Sequence, residues 1–144
     1  MFIIFIGLII LDRKEKMRIE HIAIWASDIE RMRAFYEKYF NMKCNKKYEN
    51  PKKEFSSYFL SFGTGARIEI MQRKDIRKAK DIKGLVNGLA HFAISVGSEE
   101  KVNQLTERLR SDGFKIFGEP RVTGDGYYES VVSDPEGNHI EITI

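Results

Sequence analysis

The chain has 144 residues, 42% of them hydrophobic and 31% charged, with a formal net charge of +3. That is one ordinary soluble domain, or two half-modules sharing a core. Its basic residues alternate with acidic ones, so the charge does not point to nucleic acid. The single cysteine, Cys44, excludes an intramolecular disulfide and a cysteine-based metal cage, which fits a reducing cytoplasm.

The first 16 residues stand apart. Phe2 to Leu11 is an almost unbroken apolar run followed by Asp12-Arg13-Lys14-Glu15-Lys16. It is shorter than the roughly 20 residues a membrane-spanning helix takes, and it lacks a basic region before it and a small-residue cleavage site after it. Residues 1–16 are therefore an extension outside the domain, of the kind a misplaced translation start produces, with Met17 opening the folded pattern. No membrane partner is expected.

From Met17 the pattern is strand, helix, then three strands. Arg18 to Trp25 alternates as a strand does. Asp28 to Phe40 has helical spacing, with Ile29, Met32, Phe35, Tyr36 and Tyr39 on one stripe. Ser27 or Asp28 caps its start and Asn41 ends it. Strands follow near 43–49, 55–62 and 66–71, separated by Asn50-Pro51 and Gly63-Thr64-Gly65. Residues 72–87, with six basic and two acidic side chains, form a solvated linker.

From Gly88 the same grammar repeats. Leu89 to Val96 is a strand, and Glu99 to Asp112 a helix with Val102, Leu105 and Leu109 on its stripe. Strands then fall near 115–122, 127–133 and 139–143. The fold class is α+β: two tandem βαβββ modules, 17–71 and 88–144, within one domain of 17–144.

Two copies of one pattern carry the chemistry. His21 and Glu69 lie 48 positions apart, and His91 and Glu141 lie 50 apart. Strand alternation puts His21 with Ala23 and Trp25, Glu69 with Arg67 and Met71, His91 with Ala93 and Ser95, and Glu141 with His139 and Thr143. In each strand the aliphatic residues take the other face, the one a helix covers. A lone strand His or Glu is more often a wet surface residue than a ligand. Recurrence in both halves favours the ligand reading. His139 has no counterpart in the first half and is assigned no role.

These residues resemble the vicinal oxygen chelate superfamily, which includes glyoxalase I. The resemblance rests on Ile19-Glu20-His21-Ile22-Ala23-Ile24, on Leu89-Ala90-His91-Phe92-Ala93-Ile94, and on the ending Asp134-Pro135-Glu136-Gly137-Asn138-His139-Ile140-Glu141. It covers residues 17–144. It implies a cupped, mostly antiparallel sheet with helices on the outer face, curled around one divalent metal ion (Ni, Co, Zn or Mn). His21, Glu69, His91 and Glu141 match the family's four ligand positions. Three-ligand relatives lack the Glu69 equivalent, so the full set resembles glyoxalase I.

The resemblance further implies proton transfer through a metal-bound enediolate on a small vicinal-oxygen substrate, with thiol adducts among the substrate types it allows. Glu141 is then the base, and Glu69 a ligand or second acid/base. Trp25, Arg73 and Tyr128 are the candidate substrate contacts, with Tyr58 and Tyr127 as further aromatics of the cup. Where glutathione-using members carry an Arg on the first strand this chain has Trp25, which cannot pair with a carboxylate as a guanidinium does. Two other activities fit the fold: sequestration of an apolar or antibiotic ligand, and metal-dependent thiol transfer of fosfomycin-resistance type. A homodimer is expected, with the metal site either within one chain or across two.

Overall fold

The computed structural model of the chain describes residues 17–78, 80 and 83–144, so the apolar run at 2–11 lies outside the described residues. The first module runs β1 (His21–Trp25), α1 (Ile29–Phe40), β2 (Lys43–Cys44), β3 (Tyr48–Asn50), β4 (Phe55–Ser61) and β5 (Arg67–Arg73). The second runs β6 (His91–Ser95), α2 (Glu99–Ser111), β7 (Ile116–Val122), β8 (Tyr128–Ser133) and β9 (His139–Thr143). Among the described residues no helix is long and apolar enough to cross a membrane.

Both modules have one topology. In the first, β1 pairs in parallel with β5, which pairs antiparallel with β4; β2 and β3 both pair with β4. In the second the order is β6-β9-β8-β7, again with the first and last strands parallel. The single strand expected near 43–49 is therefore two short ones. Asn45 breaks it: its side-chain oxygen accepts from the Phe59 amide while its own N–H donates to the Phe59 carbonyl. A single 3-10 turn at Pro51–Lys53, capped by Asn50, then leads to β4.

The helices form where the caps and stripes place them. Asp28 caps α1 by accepting from the Arg31 amide, and Asn41 ends it in the left-handed region at φ 54°. Its stripe is buried, with Met32 and Tyr36 fully enclosed. Each such side chain contributes about 1.5–3 kcal/mol relative to exposure. Ser98 caps α2, whose first turn carries Glu99 and Glu100 where the helix dipole favours negative charge. Thr106 sits fully buried between Val102 and Leu109, its hydroxyl satisfied by the Val102 carbonyl and by Ser130 of β8.

The two sheets are separate, and β1 and β6 are each at an edge. The modules meet instead through α1. Phe35 lies 4.9 Å from Phe114 and Tyr36 6.4 Å from Phe92, ring centre to ring centre. Tyr39 donates to Asp112 at 2.5 Å, and Lys38 reaches the same carboxylate at 2.9 Å. The Asp134–Asn138 turn closes the seam. Tyr36 Oη donates to the Asp134 carboxylate at 3.1 Å, and Glu136 accepts from the Ser27 and Asp28 amides at the start of α1.

Burial raises the Asp134 carboxyl above its usual range despite donors from Asn138, Glu136 and Tyr36, and it raises the Tyr36 phenol well above 10. Replacing Tyr36 by Phe leaves that carboxylate short of a buried donor. We expect a loss of about 1–3 kcal/mol in urea unfolding, against a near-neutral change for the exposed Tyr48→Phe.

Candidate functional site

Register explains why each His meets its Glu. In the first module His21 pairs with Arg67 and Ala23 with Glu69; in the second His91 pairs with His139 and Ala93 with Glu141. Each His thus stands at the start of an edge strand, and each Glu two positions on along its neighbour, opposite an alanine too small to fill the space between them. His21 Nε2 lies 3.8 Å from Glu69 Oε2, and His91 Nε2 lies 3.1 Å from Glu141 Oε2. Both carboxylates are 16% exposed, while the imidazoles are 39% and 45% exposed. The glutamates are set into the surface and the histidines stand out from it.

The structure brings the four expected ligands together as two pairs, not as one cluster. Among the described residues no three His, Cys, Asp or Glu side chains gather closely enough to hold a metal ion. Each pair lies on the face of its sheet turned away from the shared core, so the two halves of the expected cup do not close on each other within the chain.

The surroundings of the pairs differ. His21 Nδ1 is bound at 2.5 Å by Glu20, which Arg67 also holds at 2.5 Å while lying 4.0 Å from the Phe59 ring centre. The hydrogen bond to His21, with the Arg67 contact, keeps the Glu20 carboxyl below the usual range. A carboxylate on Nδ1 fixes the imidazole so that Nε2 is the nitrogen presented to Glu69, the arrangement metal-bound histidines use.

His91 instead has His139 beside it. The His139 ring stacks on Phe117 with centroids 3.8 Å apart, and its Nε2 is buried without a hydrogen-bond partner among the described residues. Burial holds its pKa below the usual histidine range. Linker residue Gly84 presses on this ring, and a Cβ there would come within 2.6 Å of Nδ1.

Glu129 was not expected. It lies on the same face of β8 as Val131, buried against Glu141, and meets the Arg121 guanidinium at 3.3 Å. Burial, then the neighbouring Glu141 charge, raises its pKa.

The expected substrate contacts divide. Trp25 and Arg73 are both on the open face of the first module, the guanidinium 5.3 Å from the indole centre. Tyr128 is not on such a face. It shares the side of β8 with Ser130 and Val132, under α2, where its hydroxyl donates to Asn103 at 2.8 Å. Tyr58 is likewise covered by α1, donating to Glu30 at 2.9 Å. Both corrections follow from strand alternation: the odd-numbered neighbours of these tyrosines face the open side.

Comparisons with known proteins agree with this architecture. A putative lactoylglutathione lyase of Brassica oleracea is 31% identical over 134 residues, 90% of this chain and 45% of that protein. The chain thus spans about half the length of the plant relatives it matches. The lactoylglutathione lyase of Salmonella typhimurium is 27% identical over 127 residues, covering 88% of this chain and 91% of the relative. Among solved structures, glyoxalase I from Zea mays superposes with a TM-score of 0.72 at 28% identity, over 88% of this chain and 44% of that one. The family model of the glyoxalase/bleomycin resistance protein/dioxygenase superfamily matches residues 18–142, and the chain belongs to that superfamily.

Proposed function

We propose that this protein is a glyoxalase I-type lyase or isomerase that moves a proton between carbons flanking two substrate oxygens. The observation that carries the reading is the repeated pair, an Nε2 and an Oε2 directed at each other across an alanine in both modules. The donor set fits a divalent metal. It offers two imidazoles and two carboxylates, and Glu20 holds His21 in the tautomer a ligand needs. His21 and Glu69 of one chain with His91 and Glu141 of a second would hold it, because the pairs do not converge within one chain. A two-fold homodimer then carries two such sites.

When bound, the metal supplies Lewis-acid polarisation of the substrate's vicinal oxygens. The chain's own residues supply the proton chemistry. Glu141, set into the surface beside His91, accepts the proton from the substrate carbon and returns it to the adjacent one. Glu129 places a second carboxyl against Glu141 and Arg121 offsets part of their charge. Glu69 occupies the equivalent place in the other module and is the second candidate acid/base. The names of the relatives point to a thiol adduct of an α-keto aldehyde as the substrate type.

Metal analysis tests the reading most simply. We expect about one Ni, Zn, Co or Mn per chain, loss of turnover of a methylglyoxal–thiol adduct on chelation, and recovery when the ion is returned. A protein that refuses these ions and still binds an apolar ligand is a sequestering protein instead.

A further inference from the structure

The open face of the first module carries a second feature beyond the His21–Glu69 pair. Trp25, Arg73 and Phe55 cluster at the far end of β1, with the indole 6.2 Å from Phe55 and 5.3 Å from the Arg73 guanidinium. Tyr48 extends the aromatic surface, 6.1 Å from Phe55 and 54% exposed. Register places all four on one face: Arg73 opposes Phe55, Trp25 lies beside Met71, and Tyr48 opposes Ser57.

Arg73 also lines an open cleft of about 600 Å³, together with Lys52, Lys53, Glu54, Lys74 and Asp75. Lys74 is bound by Glu54 and Arg73 by Asp75. Lys52 and Lys53 have no ion-pair partner among the described residues, and the cleft keeps a cationic excess of two. An edge-to-face aromatic cluster, with Trp25 and Tyr48 at its exposed ends, thus runs into a basic mouth through one shared residue.

We infer that Trp25, Phe55, Tyr48 and the Lys52–Lys53 mouth form a subsite for a phosphorylated flat base, the nucleotide-like end of a substrate's carrier group. Stacking on one exposed ring, the Trp25 indole or the Tyr48 phenol, takes a flat ring of any base type. Lys52 and Lys53, unpaired among the described residues, match a phosphate dianion, whereas the ammonium of an amino-acid head group meets repulsion there. Trp25 lies four residues along β1 from His21, roughly 13 Å at strand rise, so such a group would sit well away from the reacting carbon. The inference rests on the proposed function in taking this cup as the substrate site, and it names the carrier end of that substrate.

Trp25 is the only tryptophan in the chain, so indole fluorescence reports on this subsite alone. We expect adenosine 3′,5′-bisphosphate to quench it saturably, with adenosine and inorganic phosphate each at least tenfold weaker. The double variant Lys52→Glu/Lys53→Glu, on exposed positions, should weaken the bisphosphate at least tenfold while leaving the free protein's emission unchanged. Absence of saturable quenching, indifference to the charge reversal, or tighter binding of glutathione than of the bisphosphate would overturn the assignment. The ligand has no reacting carbon and the signal needs no turnover. Failure here therefore leaves the proton-transfer reading standing, and failure of the metal test leaves this measurement unaffected.

Discussion

Glu141→Gln is expected to lower kcat on a methylglyoxal–thiol adduct by about 10²- to 10⁴-fold, the range a positioned general base supplies. Glutamine preserves the shape of the side chain and an oxygen that can face His91, but it cannot accept a proton at neutral pH. The carboxylate is 16% exposed and lies between His91 and Glu129, so the substitution leaves no large cavity and the fold should persist. Steady-state kinetics together with metal content decide the matter. A variant that keeps both its metal and its turnover has its base elsewhere, and Glu69→Gln is the next substitution to measure.

The second large effect concerns subunits. His21→Ala and His91→Ala should each abolish turnover alone, because every site in a two-fold dimer needs one residue of each kind. Mixing and reassociating the two inactive proteins should restore activity. In a mixed dimer one site receives both substitutions and the other receives neither. Random pairing makes half the dimers mixed, each with one intact site of two, so about a quarter of wild-type activity should return. Sites built within single chains would recover nothing on mixing. Activity assays before and after reassociation separate the two cases.

The parity of His21, Glu69, His91 and Glu141 was legible because strand alternation is a local rule, and both helices followed their caps and stripes for the same reason. What escaped had identifiable causes. Asn45 interrupts a strand by offering its side chain to the Phe59 amide, a competition that hydrophobic alternation does not register. Aromatic character alone groups Tyr58 and Tyr128 with Trp25, although counting alternate positions from Phe59 and Glu129 places them under the helices. Requiring a match between halves selects shared ligands, and it also discards whatever makes one half different. The stacked His139 drops out in that way, while Glu129 lies on a strand that carries none of the four candidate ligands and so draws no notice. The separation of the two pairs left no local mark at all, since it depends on which faces the α1 seam turns outward.

That seam has a consequence for how two sites would communicate. Glu136 ties the turn before β9, which delivers Glu141, to the start of α1, which follows directly on the strand of His21. In the proposed dimer these two residues of one chain serve different sites, so the tie joins half of one site to half of the other. Ligand uptake at the first site then has a rigid lever to the second, and a Hill coefficient different from one is its signature. Glu136→Ala, which cuts the lever at an exposed contact, should bring that coefficient back to unity.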